Sequence, residues 1–215
     1  MTDALAKPVV PYRAQWESPG MIRAFLAGGD AVQDPLWHRS GAETAQEYAR
    51  WAEHLCGVAC LRMVLAARGV EVSAFDVMRA LRHRGGYVEA KNGSIQGLIY
   101  APAVEWLATA HGIEARIILD LEAAAIPALL DEGLFIASVH PAIRAPEAAS
   151  PGRGGHLVLV HGVTAHGELV LHNPSGDCAG NQVDAQVAIA DFRRFFAGRG
   201  ILVTHPARLG CLSPA

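Results

Sequence analysis

Lysine is nearly missing from this 215-residue chain: Lys7 and Lys91 stand alone, arginine supplies almost all basic charge, and the formal net charge is -3. A charge so close to balance gives no footing for a nucleic acid or an acidic membrane surface as partner. No apolar run approaches the roughly 18–20 residues that cross a bilayer. The opening MTDALAKPVVPYRAQW has no apolar stretch after a basic start, so no secretory signal is expected and a cytoplasmic location is. Cysteine is sparse: Cys56, Cys60, Cys178 and Cys211. In a reducing compartment all four are expected as free thiols, with a Cys178–Cys211 disulfide as the alternative. The nucleotide-cradling patterns GxxxxGK[ST] and GxGxxG are absent, as are CxxC and HxxxH pairs at ligand spacing. His54, Cys56 and Cys60 are therefore not read as a zinc site, and neither cofactor nor metal is expected.

What is present is an apolar fraction of 51%, enough at this length for one domain with a substantial core. Helix signals crowd the first half. Met21–Leu26 and Glu43–Glu53 are short helices flanking a loop. The run from Gly57 to Arg68 is apolar almost all round and ends at Gly69, which makes it a central helix. Ser73 with Asp76 caps a further helix, and Pro102 fits the first turn of one ending at His111. Strand signals dominate later, at Glu114–Leu119, Leu134–His140, His156–Thr164, Glu168–His172 and Gly200–His205. Leu121–Asp131 and Ile189–Phe196 read as helices, and 174–186 as loop. The expected fold is α+β, with a helical lobe at about 17–112 and an antiparallel sheet lobe at about 113–207.

The chemistry starts at Cys56. It opens CGVACLRMVL, where helix begins, and free N–H groups at a helix start favour the thiolate. Gly57 beside it would let a substrate backbone approach. His156 follows Gly154-Gly155 at the first position of a β-branched strand, a rigid place for a base. His161, five residues on, should face the other way. Asn173, beside Pro174, ends the strand expected to pair with that of His156, so its amide could hold the imidazole. Cys, His and Asn then make a nucleophile, a base and an orienting group. Cys60, a turn deeper, reads as core.

CGVACLRMVL, GGHLVLVHGV and HNPSG together resemble the cysteine peptidases of family thirty-nine, the papain-like group that includes double-glycine leader peptidases. VPYRAQW resembles the VPYxxQ opening of its stand-alone members, and the likeness covers most of residues 8–205. It implies a papain-like fold with Cys56 as nucleophile, His156 as base, Asn173 as orienter and Gln15 as a donor to the oxyanion. The sequence departs from the family's pattern in three places: residues 17–52 separate Gln15 from Cys56, Leu55 stands where an acid often precedes the nucleophile, and Asn173 replaces the commoner Asp. The expected reaction is hydrolysis of a peptide or amide bond through an acyl-enzyme, and the expected partner is such a substrate. Transfer of the acyl group to an amine or thiol on the same triad, or a fold kept for binding alone, fit the sequence too. Residues 17–52, with Trp37 and Trp51, and the loop at 141–153 are expected to wall the cleft.

Overall fold

In a computed structural model of the chain, residues 9–206 are described. Cys211 and the last residue of the expected sheet lobe lie outside them. Helices come first: α1 (Ile22–Leu26), α2 (Ala45–Ala52), α3 (Cys56–Ala66) and α4 (Ala74–His83). A small hairpin of β1 (Val88–Glu89) and β2 (Ile95–Gln96) follows, then α5 (Tyr100–His111) and β3 (Ala115–Ile118). The rest is α6 (Ile126–Leu129), β4 (Gly133–Val139), β5 (His156–Val163), β6 (Leu169–His172), α7 (Ala179–Gln182), β7 (Ala185–Val187), α8 (Ile189–Phe195) and β8 (Phe196–Thr204). The six longer strands form one antiparallel sheet in the order β3-β8-β4-β5-β6-β7. The architecture is the expected α+β one, helices packed on an antiparallel sheet.

Strand alternation divides the core in two. Leu134 and Ile136 of β4, Leu157 and Leu159 of β5, and Ile201 and Val203 of β8 join the cluster built on α2–α5. Their neighbours Phe135, Ala137, Val139, Val158, Val160 and Leu202 join a second cluster with Ile126, Phe192 and Phe195 on the reverse face. Every residue of β4 is buried, which is why its sequence, Ser138 apart, is apolar rather than alternating. Helix α3 lies against β5 and has eight buried residues out of eleven. Its charged Arg62 escapes the core by bonding the Val72 carbonyl and Glu17, each at 3.1 Å.

Two expectations change in detail. Residues 121–131 form a 3-10 turn and the four-residue α6 instead of one helix, with Pro127 in the first turn of α6 where its missing N–H costs nothing. The expected loop at 174–186 holds α7 and the edge strand β7, both too short to leave a periodic signal.

The segment 17–52 is pinned by one buried carboxylate. Asp34, 1% exposed, accepts from the Ser18 N–H and hydroxyl, the Leu36 N–H and the Tyr48 hydroxyl. Tyr48 in turn accepts the Glu17 N–H. Four donors thus converge on one ion, and removing it strands them in a dry site. Asp34→Ala should lower unfolding free energy by about 3 kcal/mol, read as a lower urea midpoint at unchanged slope.

Candidate active site

Cys56 is the first residue of α3, and Leu55 in front of it provides no side-chain cap, so the first N–H groups of the helix remain available around the thiol. Leu55 is itself 1% exposed, a core position where a carboxylate would have to be buried unpaired. The N–H groups of Leu157, Gly57 and Cys56 itself reach the sulfur, which places it at the opening of β5. Gly57 has a reason different from the one its sequence position suggests. A Cβ there would stand 2.6 Å from Leu98 Cβ, so the glycine lets a cavity wall close onto α3.

The chain enters β5 through Gly154 and Gly155 at φ 79° and 94°, a left-handed pair that side chains resist. This aims the His156 ring back towards the Asn173 turn. His156 Nε2 lies 2.8 Å from Asn173 Oδ1 and 3.1 Å from Ser175 Oγ. The Ser175 N–H donates to that same Oδ1 at 3.2 Å, so the oxygen of the amide, not its nitrogen, faces the ring. An acceptor opposite Nε2 assigns the hydrogen to Nε2 and leaves the lone pair of a neutral imidazole on Nδ1. Ser175 is held by Arg144, whose Nη2 donates to its hydroxyl and whose Nε donates to its carbonyl, both at 2.6 Å. Neither Ser175 nor Arg144 was singled out in the sequence. Ser175 sits in the NPSG string without a pattern of its own, and Arg144 lies in a proline-rich stretch that reads as linker.

Gln15 is brought beside these residues across the intervening segment. Its Nε2 donates to the Ala52 carbonyl at 3.0 Å, one turn before Cys56, and its N–H donates to the Pro174 carbonyl at 2.8 Å. Tyr12 adds a hydrogen bond from its hydroxyl to the Asn173 carbonyl, 3.1 Å. The four residues expected to act together thus converge on one end of the sheet, though chain order scatters them.

Electrostatics run against the thiolate expected from the helix start. Burial pushes the Cys56 thiol above its ordinary value, although the three N–H groups and the Arg144 charge pull it down. Cys56 keeps part of its surface open to the cavity, yet enough protein crowds the sulfur for desolvation to prevail. Burial likewise lowers His156 to about 4, with Arg144 adding to the fall and the Asn173 hydrogen bond opposing it. Thiol and imidazole both rest neutral. Cys60 is fully enclosed in the core and pushed well up by burial. Cys56, Cys60 and Cys178 are free thiols.

Cys56, Gly155, His156 and Leu157 line a cavity of about 600 Å³ whose other walls come from 96–101, Leu119, Ser138 and Arg199. The expected walls lie elsewhere. Trp51 is a core residue stacked edge-on against Tyr87, and the loop after β4 lines a second, smaller hollow behind Asn173. The sequence shows no signal for residues 96–101 as a wall, because their role follows from how the segment around Leu98 packs on Gly57 of α3.

His161 takes no part in the His156–Asn173 contact. Its ring stacks on His172 at 4.3 Å, and its Nε2 is 3.1 Å from Asp184 Oδ1. These three groups lie close enough to share a cation. His172 is already engaged at both nitrogens, donating from Nε2 to the Val10 carbonyl at 2.8 Å and accepting the Asp184 N–H at 3.1 Å on Nδ1. The cluster ties β5, β6 and the start of β7 to the N-terminal segment.

No protein-family model matches the chain, and no curated protein matches it. Among solved structures it is similar to the peptidase domain of Streptococcus ComA, a bi-functional ABC transporter of a quorum-sensing pathway. That match has 21% identity and a TM-score of 0.47, over 71% of this chain and 92% of that one. It is also similar to a double-glycine motif protease from an AMS/PCAT transporter, solved with the leader peptide, at 17% identity and a TM-score of 0.49, over 94% and 95% of the two chains. Among the described residues no helix is long and apolar enough to cross a membrane.

A depressed histidine makes folding sensitive to acid. An unfolded imidazole takes its proton near pH 6.5, whereas folded His156 resists until about 4. Its contribution is complete above pH 6.5 and is lost as pH falls through 4, in total up to about 3 kcal/mol. Urea midpoints measured at pH 7 and pH 4.5 should therefore converge more in His156→Gln than in the wild type. Equal losses in both proteins would assign the acid sensitivity to other groups.

Proposed function

We propose that the chain is a papain-like cysteine peptidase that hydrolyses a peptide or amide bond through an acyl-enzyme on Cys56. The observation that carries this reading is the Asn173–His156 hydrogen bond, with the amide turned by the Ser175 N–H so that the ring's basic nitrogen is Nδ1. Among the described residues, the one thiol lining a cavity with His156 is that of Cys56.

The reaction starts from the neutral pair. As sulfur attacks the substrate carbonyl, its proton passes to Nδ1 of His156, and the imidazolium that forms keeps its Nε2–H on Asn173. Resting desolvation penalises an idle thiolate, while the N–H groups of Leu157 and Gly57 stabilise sulfur's charge as it develops. The carbonyl oxygen becomes an oxyanion held by the Cys56 N–H and the Gln15 amide. One Gln15 hydrogen is spent on the Ala52 carbonyl, which fixes the amide and leaves the other to donate. His156 then returns the proton to the leaving amine. Water, deprotonated by the same ring, attacks the thioester, and the carboxylic acid leaves with Cys56 restored as thiol.

Cleavage of a peptide library, read by mass spectrometry, should fall at least about 10³-fold in Cys56→Ala and His156→Ala. Loss in Gln15→Ala should be about 10²-fold and lie mainly in kcat, as expected of a group bonded to the transition state. Full activity in Cys56→Ala would refute the reading. Asn173→Asp places a carboxylate beside Nε2, which favours the imidazolium. The acid limb of kcat/KM, expected near pH 4 in the wild type, should therefore move up by about one to two units in that variant.

A further inference from the structure

The sheet face that α3 and α5 cover is apolar for most of its length and turns polar at one end. Along β4 the residues on that face are Leu134, Ile136 and then Ser138, and along β8 they are Val203, Ile201 and then Arg199. A strand leaving a core often ends this way. Here, however, Ser138 and Arg199 line the cavity that holds Cys56 and His156, and Ser138 is only 3% exposed. Tyr100, first residue of α5, lines the same space, near enough to both side chains for them to oppose the effect of burial on its phenol. Burial keeps that phenol neutral and therefore a donor.

Several arginines of the chain are matched: Arg13, Arg50, Arg62, Arg79 and Arg116 each pair with a glutamate. Among the described residues no carboxylate pairs with Arg199, and none lines the cavity. Arg199 is exposed, so its charge carries no burial penalty. The N-terminal end of α5, a twelve-residue helix with no side-chain cap at Ile99, opens on the same space and adds to the positive field. A guanidinium, a phenol and a hydroxyl beside the reacting thiol, with no acid to answer them, form a site suited to a planar anion.

We propose that Arg199, with Tyr100 and Ser138, binds a carboxylate of the substrate close to the scissile bond. The source is an acidic side chain or a free C-terminal carboxyl. This rests on Cys56 being the nucleophile of that cavity. Arg199 is then a specificity residue: it selects which chain enters, while sulfur, imidazole and amide perform the chemistry on any chain seated there.

Iodoacetate and iodoacetamide test this, because they differ in one carboxylate and modify cysteine by the same step. Sulfur displaces iodide, an S–C bond forms as C–I breaks, and the thiol proton is released. Rates of Cys56 labelling by the two reagents are measured by mass spectrometry in the wild type, Arg199→Ala and Arg199→Lys. The Arg144 charge is also felt at Cys56, so the comparison across variants is the readout. The iodoacetate-to-iodoacetamide ratio should drop about fivefold in Arg199→Ala, the scale of one exposed ion pair, and recover in part in Arg199→Lys. The iodoacetamide rate should stay constant, which also shows that the variants are folded.

Two peptides then separate the sources: acetyl-Gly-Glu-Gly-amide and acetyl-Gly-Gly-Gly with a free carboxyl, each against neutral acetyl-Gly-Gln-Gly-amide. The carboxylate peptide that protects Cys56 from iodoacetamide better than the neutral one, and loses that advantage in Arg199→Ala, identifies the source. A ratio equal in wild type and Arg199→Ala, with Cys56 still labelled, overturns the subsite and leaves the peptidase reading intact. Failure of both reagents to label Cys56 overturns that reading and the subsite with it.

Discussion

Everything at the candidate site depends on α3 lying flat against β5. The helix is apolar on nearly every face, so it cannot rest at the surface and is stable only between the sheet and the other helices. Once it docks there, its first residue meets the first residues of β5, and the Leu157 N–H reaches the Cys56 sulfur. The glycine after Cys56 is part of the same constraint, because Leu98 occupies the space its side chain would take. Packing therefore sets the distance between thiol and imidazole, and the same contacts that bury the helix define the cavity in which substrate would react.

That packing has an electrostatic consequence. A helix start and a nearby arginine favour a thiolate, while burial opposes it, and burial prevails for both Cys56 and His156. A charged pair held permanently in so dry a place would cost several kcal/mol per ion before any substrate arrived. A neutral pair stores no such penalty, and in the proposed mechanism the N–H groups around sulfur act when charge appears during attack. Arg144 connects both sides of this balance. It holds Ser175, whose N–H turns the Asn173 amide, and its charge adds to the burial that lowers His156. In the proposed mechanism such residues position the ring without touching substrate.

The N-terminal segment completes the arrangement from a distance. Residues 17–52 leave the site and return to it, so that Gln15 meets Ala52 just ahead of α3. Such an excursion is dependable only if it is rigid. The buried Asp34 hub, with Ser18, Leu36 and Tyr48 donating into it, provides that rigidity, and the Arg62–Glu17 pair fastens the excursion to α3 itself. Insertion length is then of little consequence to the site, because loop closure grows slowly in cost and the ends are fixed by specific bonds.

How much of this could be read in the chain depends on the range of the interaction concerned. The apolar run from Gly57, the β-branched stretches around Leu134 and His156, and the Ser73 cap are local patterns, and each produces its element. Cys56, His156, Asn173 and Gln15 could be named because short motifs carry them, and the fold brings them to one end of the sheet. Short elements escaped: α7, β7 and the broken 121–131 segment are too brief for periodicity to show, and their stability comes from neighbours. Ser175, Arg144, the walls at 96–101 and the Arg199 corner carried no motif, since each matters only through residues far away in the chain. By itself the sequence determined the longer secondary elements, the apolar helix that had to be central and the reactive residue types. The tertiary structure alone decided the resting charge of Cys56 and His156, the reason for Gly57 and the lining of the cavity. Desolvation, close packing and hydrogen-bond geometry arise between segments, and none exists until the segments meet.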